Sequence, residues 1–425
     1  MDKSLLKKAA MQSVALMVAV MTASYTLQQY QAVEIHASNI ISTDNHPRNE
    51  DVIEVDDRKV ILSAKENPPA VIPGGMAASL AELREQVEDS LMKKLSDHYL
   101  VIRKPEARGG KLSLEDLYIN HSIKLHMTGL LGDDFESSMI MRVRGEEIFL
   151  GDPVYEEIVT QEKKEEDDTV IDVVTRDYGK DLSHGITFSL DRDEAAGLVN
   201  CDILIELDQV YAYAIYEDEN YYFIDLRRPS DVYDKILVID PGHGGKDAGA
   251  LSKDEEYYEK NINLGIALAL KEILDRENIK VYYTRTADDK VFLRPRVTLG
   301  NAVECDYYIS IHCNSNNATE PNGTEVLYYD GDFHGVSNKK LAEIFSQELG
   351  KTMELEERGI VLKREKEIFI MDKARVPMIL IEMGYLSNKR DLKYLINPDK
   401  QKEIAQGIYN GIQRAFEELP AVRKN

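Results

Sequence analysis

Two histidines stand in the C-terminal half of the chain at positions where catalytic groups are expected. His243 follows the apolar run 236–239 and an Asp-Pro-Gly sequence, and it lies among glycines. His312 ends a second, mostly apolar run, 307–311, and a polar turn follows it. Ligands of open α/β sheets bind just beyond the carboxyl ends of the strands. The two histidines are therefore predicted to lie at one edge of one sheet.

Two carboxylates accompany these histidines. Glu259 stands at the predicted start of a helix, where its simplest role would be to complement the helix dipole. Glu382 ends a third apolar run, 378–381. Burying an ionised glutamate without a partner is costly, so this position indicates a nearby cation, a raised pKa or a structural Arg or Lys.

These residue types predict metal-assisted hydrolysis. Two histidines and one glutamate are a common ligand set for catalytic zinc, with the fourth position left to water. Zinc lowers the pKa of that water, and a second glutamate can then transfer protons. The chain has no H-E-x-x-H sequence. The ligands must therefore come from separate elements that the fold brings together.

Alternating strands and helices are predicted to position these residues. From residue 235 onward the pattern is typical of an α/β domain, a mostly parallel twisted sheet covered by helices on both faces. We predict strands at 236–240, 279–284, 307–312, 324–329 and 378–382, and helices at about 261–277, 294–303, 337–350 and 399–417. The predicted domain spans 235–419.

The N-terminal part of the chain is predicted to hold three further regions. In residues 1–30, three lysines precede a mostly apolar stretch, which predicts a membrane segment with the rest of the chain outside the cytoplasm. A cleaved signal peptide is the alternative, but no clean A-x-A site follows. Residues 31–76 are predicted to be a linker with a short strand at 60–62. Residues 77–230 are predicted to form a helix, over about 77–100, and a β-rich accessory domain.

The accessory region loosely resembles the AMIN-type domains that tether envelope enzymes to the cell wall or to its partners.

The composition of the chain argues against some classes of ligand. The chain has 425 residues and a formal net charge of -24, which argues against nucleic acid or anionic lipid as a ligand of the whole molecule. The three cysteines, Cys201, Cys305 and Cys313, are predicted to be small buried residues.

The chain from about 235 to 416 resembles the catalytic domain of zinc-dependent N-acetylmuramoyl-L-alanine amidases, the type 3 amidase family. The matching motifs occur in the family's order over a little under half of the chain. They are Ile239-Asp-Pro-Gly-His-Gly-Gly245, Glu259-Lys-Asn-Ile-Asn-Leu264, Ser310-Ile-His-Cys-Asn314, Arg358-Gly359 and Ile381-Glu-Met-Gly-Tyr-Leu-Ser-Asn388.

The resemblance implies a role for each of the four residues. Zinc would be bound by His243, Glu259 and His312, and Glu382 would be the catalytic glutamate. Asp254, Glu255 and Glu256 also precede the helix, but only Glu259 is followed by Lys-Asn-x-Asn-Leu.

The implied reaction is hydrolysis of the amide between N-acetylmuramic acid and L-alanine in peptidoglycan. The protein is then expected in the bacterial cell envelope, outside the cytoplasm, and anchored in the membrane unless the N-terminal segment is cleaved. Two alternatives stay open at this point. They are a non-catalytic peptidoglycan-binding or scaffold protein on the same fold, and a zinc peptidase acting within the stem peptide.

Overall fold

The computed structural model describes residues 59–63, 79–163 and 170–420. The predicted membrane segment, 1–30, and most of the predicted linker, 31–76, lie outside these residues. Within the described ranges, no helix combines the length and apolarity needed to cross a membrane. The membrane anchor and its alternative, a cleaved signal peptide, therefore stay predictions.

Two five-stranded antiparallel sheets pack face to face ahead of the α/β domain. The first has the order β1 (Lys59–Ser63), β3 (Lys111–Leu117), β4 (Ser122–Leu130), β10 (Leu198–Leu207), β9 (Ser183–Asp193). The second has the order β11 (Ala212–Glu217), β12 (Tyr221–Arg227), β2 (His98–Arg103), β5 (Ile140–Arg144), β6 (Glu147–Phe149). Apolar side chains from alternate positions of both sheets fill the space between them. Strand β1 comes from the region predicted to be a linker and pairs with β3.

The predicted helix over 77–100 was too long. The structure has α1 (Leu80–Gln86) and α2 (Asp89–Met92), and the chain then enters β2. The predicted apolar stripe still faces the second sheet, since Leu83 is buried against Tyr99 and Phe223. The backbone becomes extended at Val87, where α1 ends.

A hairpin and one short helix complete the region before the α/β domain. The hairpin pairs β7 (Glu156–Lys163) with β8 (Val170–Asp177) and joins neither five-stranded sheet. The helix α3 (Pro229–Val232) leads into the first strand of the α/β domain.

The C-terminal domain is built on a six-stranded sheet. Its order is β14 (Lys280–Tyr283), β13 (Ile236–Pro241), β15 (Tyr307–Asn314), β20 (Met378–Tyr385), β16 (Thr324–Tyr329), β19 (Glu357–Lys363). Neighbouring strands are parallel except for β20 and β16, which are antiparallel. The predicted α/β architecture is thus confirmed. Strand β19 was not predicted, and its side chains are only half-buried or exposed.

Helices cover both faces of this sheet. One face packs against α4 (Glu259–Leu274), α6 (Asn338–Thr352) and α9 (Pro398–Glu418). The other packs against α5 (Leu293–Ala302) and α7 (Phe369–Lys373). Smaller elements are β17 (Asp332–Phe333), β18 (Val336–Ser337) and α8 (Lys389–Leu395). The three cysteines are buried and free, as predicted.

Candidate active site

Three of the predicted site residues converge at the carboxyl edge of the sheet. His243 lies in the loop after β13, Glu259 is the first residue of α4, and His312 lies near the end of β15. One donor atom from each lies within 4.8 Å of the other two. Glu259 bridges the histidines, with Oε2 3.1 Å from His243 Nε2 and Oε1 2.9 Å from His312 Nδ1. The structure therefore places these three side chains around one point.

Glycines leave the space that the imidazoles occupy. A Cβ at Gly242 would lie 2.1 Å from His312 Cε1, and one at Gly249 would lie 2.5 Å from Glu259 Oε2. His243 itself has φ 61°, in the left-handed region that non-glycine residues rarely adopt. Such backbone strain is typical of functional loops held by their surroundings. The glycine-rich loop is thus shaped to fit the side chains of His243, Glu259 and His312.

Glu259 is buried and held in one orientation. Its Oε2 accepts the amide hydrogen of Ala250 at 2.7 Å, and its Oε1 accepts that of Cys313 at 3.1 Å. Burial opposes its ionisation, but the hydrogen bonds and charges of the two histidines outweigh this and lower its pKa well below the usual range. Glu259 is therefore an ionised carboxylate held in a fixed orientation between the two histidines. The neighbouring Asp254, Glu255 and Glu256 are exposed.

Glu382 lies on β20, beside His312 of β15 in the parallel register. Its Oε2 is buried and has no hydrogen-bond partner among the described residues. Burial raises the pKa of Glu382 to about 7, with His312 opposing the shift and Glu259 and Glu325 adding to it. A carboxyl with this pKa can both accept and return a proton near neutral pH.

A polar cluster lies next to Glu382, and its central residue, Glu325, was not predicted from the sequence. Glu325 of β16 is its cross-strand neighbour. Glu325 Oε1 accepts hydrogen bonds from Asn314 Nδ2 at 3.0 Å and from the Tyr385 hydroxyl at 2.5 Å. The Arg358 guanidinium lies over the Tyr385 ring, 5.6 Å from its centroid. The cluster places oriented polar groups beside the Glu382 carboxyl.

Two buried arginines hold the His243 loop, and they were also missed. Arg296 donates to Asp240 Oδ1 at 2.6 Å and to the carbonyls of Pro241 and His243. Arg285 donates to the carbonyls of Pro241, Gly242 and Lys260. Arg285 thus ties the loop of His243 to the helix start that carries Glu259. The signal in the sequence is Arg285 itself, which stands two residues after the end of β14.

Asp240 completes this network. It is fully buried and also accepts hydrogen bonds from Thr284 Oγ1 at 2.6 Å and Ser310 Oγ at 2.7 Å. The sequence analysis treated Asp240 only as the end of a strand. Arg294, two residues before Arg296, is exposed.

The residues present fit a zinc ion. Two imidazole nitrogens and one carboxylate are the donors zinc prefers, and ligands about 2 Å from a tetrahedral ion lie about 3.3 Å apart. Each histidine lies near this distance from one Glu259 oxygen, His243 Nε2 3.1 Å from Oε2 and His312 Nδ1 2.9 Å from Oε1, and one donor atom from each residue lies within 4.8 Å of the other two. Glu382 lies outside the three-residue cluster, as expected for a proton carrier that is not a ligand.

Comparison with known proteins places this site in a family. Residues 237–414 match the family model described as N-acetylmuramoyl-L-alanine amidase. The chain is 34% identical over 198 residues to the germination-specific N-acetylmuramoyl-L-alanine amidase of Bacillus subtilis, covering 43% of this chain and 81% of that protein. It is 33% identical over 182 residues to the N-acetylmuramoyl-L-alanine amidase CwlM of Bacillus licheniformis, covering 42% and 68%.

A solved structure is similar over the same region. The N-acetylmuramoyl-L-alanine amidase from Clostridium difficile 630 is 32% identical, with a TM-score of 0.41, over 43% of this chain and 97% of that one.

Proposed function

The chain belongs to the N-acetylmuramoyl-L-alanine amidase family, and from this premise we propose that it cleaves the amide between N-acetylmuramic acid and L-alanine of peptidoglycan with a zinc ion held by His243, Glu259 and His312. The observation that carries the zinc proposal is the convergence of these three donors, within 4.8 Å of one another, beside a partly buried glutamate. The four side chains come from four separate elements, so this convergence is a property of the fold.

Each residue has a role that follows from its surroundings. When bound, zinc supplies a Lewis acid that polarises the scissile carbonyl and lowers the pKa of water. Glu259 is held in one orientation by the amide hydrogen bonds from Ala250 and Cys313 and can face a cation without rearrangement. Glu382 takes a proton from the attacking water and returns it to the leaving amine, a cycle that suits a pKa raised to about 7.

The proposal includes the setting of the reaction. Cell-wall amidases among the relatives support action on peptidoglycan outside the cytoplasm. The accessory β-sandwich, if it acts as AMIN-type domains do, would hold the enzyme at the wall polymer or at a protein partner. The N-terminal segment 1–30 would anchor it to the membrane or direct its secretion.

Product analysis on purified peptidoglycan, with and without a chelator, tests the function. We expect release of complete stem peptides carrying a free L-alanine amine, loss of release on chelation, and recovery when zinc is restored. Fragments cut within the stem peptide would favour the zinc peptidase instead. Binding without any cleavage would favour the scaffold, and cleavage that survives metal removal would exclude the zinc assignment.

A further inference from the structure

The accessory β-sandwich contacts the catalytic domain through Tyr118, a buried residue of the short 3-10 helix Tyr118–Asn120. Its hydroxyl donates to the carbonyl of Tyr283 at 2.8 Å and accepts the amide hydrogen of the same residue at 3.0 Å. Its ring packs edge-on against Tyr282, with centroids 5.0 Å apart. The Tyr118 hydroxyl thus makes the two hydrogen bonds to the Tyr283 backbone that a neighbouring β-strand would make.

This contact lies at a defined place in the catalytic sheet. Tyr283 ends β14, the edge strand, whose inner side pairs with β13. A buried edge must find partners for its backbone amides and carbonyls, because an unpaired buried polar group loses its hydrogen bonds to water without replacement. Tyr118 therefore fixes the end of β14, and it does so from another domain.

The two residues after Tyr283 hold the metal-ligand loop. Thr284 donates its hydroxyl hydrogen to Asp240, and Arg285 donates to the carbonyls of Gly242 and Lys260. Gly242 and Lys260 are the immediate neighbours of His243 and Glu259. A continuous series of main-chain and side-chain contacts thus runs from Tyr118 to two of the three metal ligands.

A second route supports the first. The 3-10 helix Tyr118–Asn120 also contacts α5, the helix that carries Arg296. Tyr118 and Val210 of the β-sandwich lie in the same apolar cluster as Val297 and Leu299 of α5. Both arginines that hold the His243 loop are therefore supported by the accessory domain.

We propose that Tyr118 is a positioning residue of the amidase site, and that the accessory domain preorganises the zinc ligands through the end of β14. The inference rests on the proposed function, because it assigns the positioning to a zinc site. It gives the accessory domain a role in metal binding in addition to any wall or protein partner.

The test compares Tyr118→Phe with Tyr307→Phe in the full chain. Tyr307 is buried, and its hydroxyl donates to the Ala415 carbonyl at 3.1 Å, away from the loop, so its variant is a matched loss of one hydroxyl. Partners of ligand residues change metal affinity 10- to 100-fold. For Tyr118, which is more remote, we expect zinc affinity by chelator competition to fall about 3- to 10-fold and kcat to fall with KM unchanged. Tyr307→Phe should keep wild-type zinc affinity.

Equal zinc affinity and kcat in Tyr118→Phe and wild type would overturn the inference. If Tyr118→Phe does not fold, Val210→Ala removes apolar contacts from the same interface between the two domains. Unchanged zinc affinity in Val210→Ala would overturn the inference as well. A wild-type chain that neither binds zinc nor cleaves peptidoglycan would instead overturn the proposed function. The two failures are therefore distinguishable.

Discussion

Replacing Gly242 by alanine should remove His312 from the metal site. The new Cβ would lie 2.1 Å from Cε1 and 2.3 Å from Nε2 of the imidazole, whereas an ordinary contact begins at 3.4 Å. The ring must therefore move by about 1.3 Å, several times the tolerance of about 0.2 Å in a zinc–nitrogen bond. The position does not have a positive φ, so the effect is steric and not one of backbone strain.

We expect zinc affinity in Gly242→Ala to fall by at least about 100-fold, since loss of a ligand exceeds the 10- to 100-fold effect of a ligand's partner. Overpacking should lower the free energy of unfolding by about 1–3 kcal/mol. Chelator competition measures the first quantity and denaturant unfolding of the metal-free protein the second. Gly132→Ala is the matched control, because a Cβ there meets nothing within 4 Å and its φ is not positive.

Wild-type zinc affinity in Gly242→Ala would refute the reasoning, because it would mean that His312 is not a ligand or that the loop moves freely. Equal losses in Gly132→Ala would show that the effect is not specific to the site.

Three further predictions concern the groups around the metal. Glu382→Gln should bind zinc with wild-type affinity and lose nearly all turnover in the peptidoglycan assay; substantial remaining activity would remove Glu382 from proton transfer. Arg296→Met leaves Asp240 buried without its cation and should cost about 3–5 kcal/mol of unfolding free energy by denaturant titration; a loss below about 1 kcal/mol would contradict the buried ion pair. Burial raises the pKa of Asp240, but Arg296 and the hydrogen bonds from Thr284 and Ser310 outweigh this and lower it. The contribution of ionised Asp240 to the stability of the fold is therefore complete above about pH 4 and declines as the pH falls further. Asp240→Asn should show a smaller loss of stability than wild type over that acid range.

The sequence predicted the parts of the site that follow from local pattern. Buried strands leave continuous apolar runs, and each run that ends in His312 or Glu382 marks its own carboxyl edge. The loop of His243 was predicted because proline and glycine end the strand before it. Because β13, β15 and β20 are parallel neighbours, their carboxyl ends lie at the same edge of the sheet.

The supporting contacts could not be predicted in the same way. Arg285 and Arg296 act on carbonyls about 40 to 55 residues earlier in the chain, and no periodicity records such a pairing. Tyr118 is separated from Tyr283 by 165 residues and lies in another domain. The break at Val87 was missed because the apolar spacing of a helix continues through it. Tertiary packing decides such features, and local propensity is only a weak guide to it.

Strand β20 is the last strand along the chain among the described residues, yet it occupies an inner position between β15 and β16. A nascent chain that has emerged only as far as residue 377 already contains His243, Glu259 and His312, the three proposed metal donors. It lacks the strand that joins the two parts of the sheet, and with it Glu382, the proposed proton carrier. On the proposed mechanism, hydrolytic competence therefore arises late in synthesis, when the final inner strand inserts, and fragments released earlier are expected to be inert toward the wall.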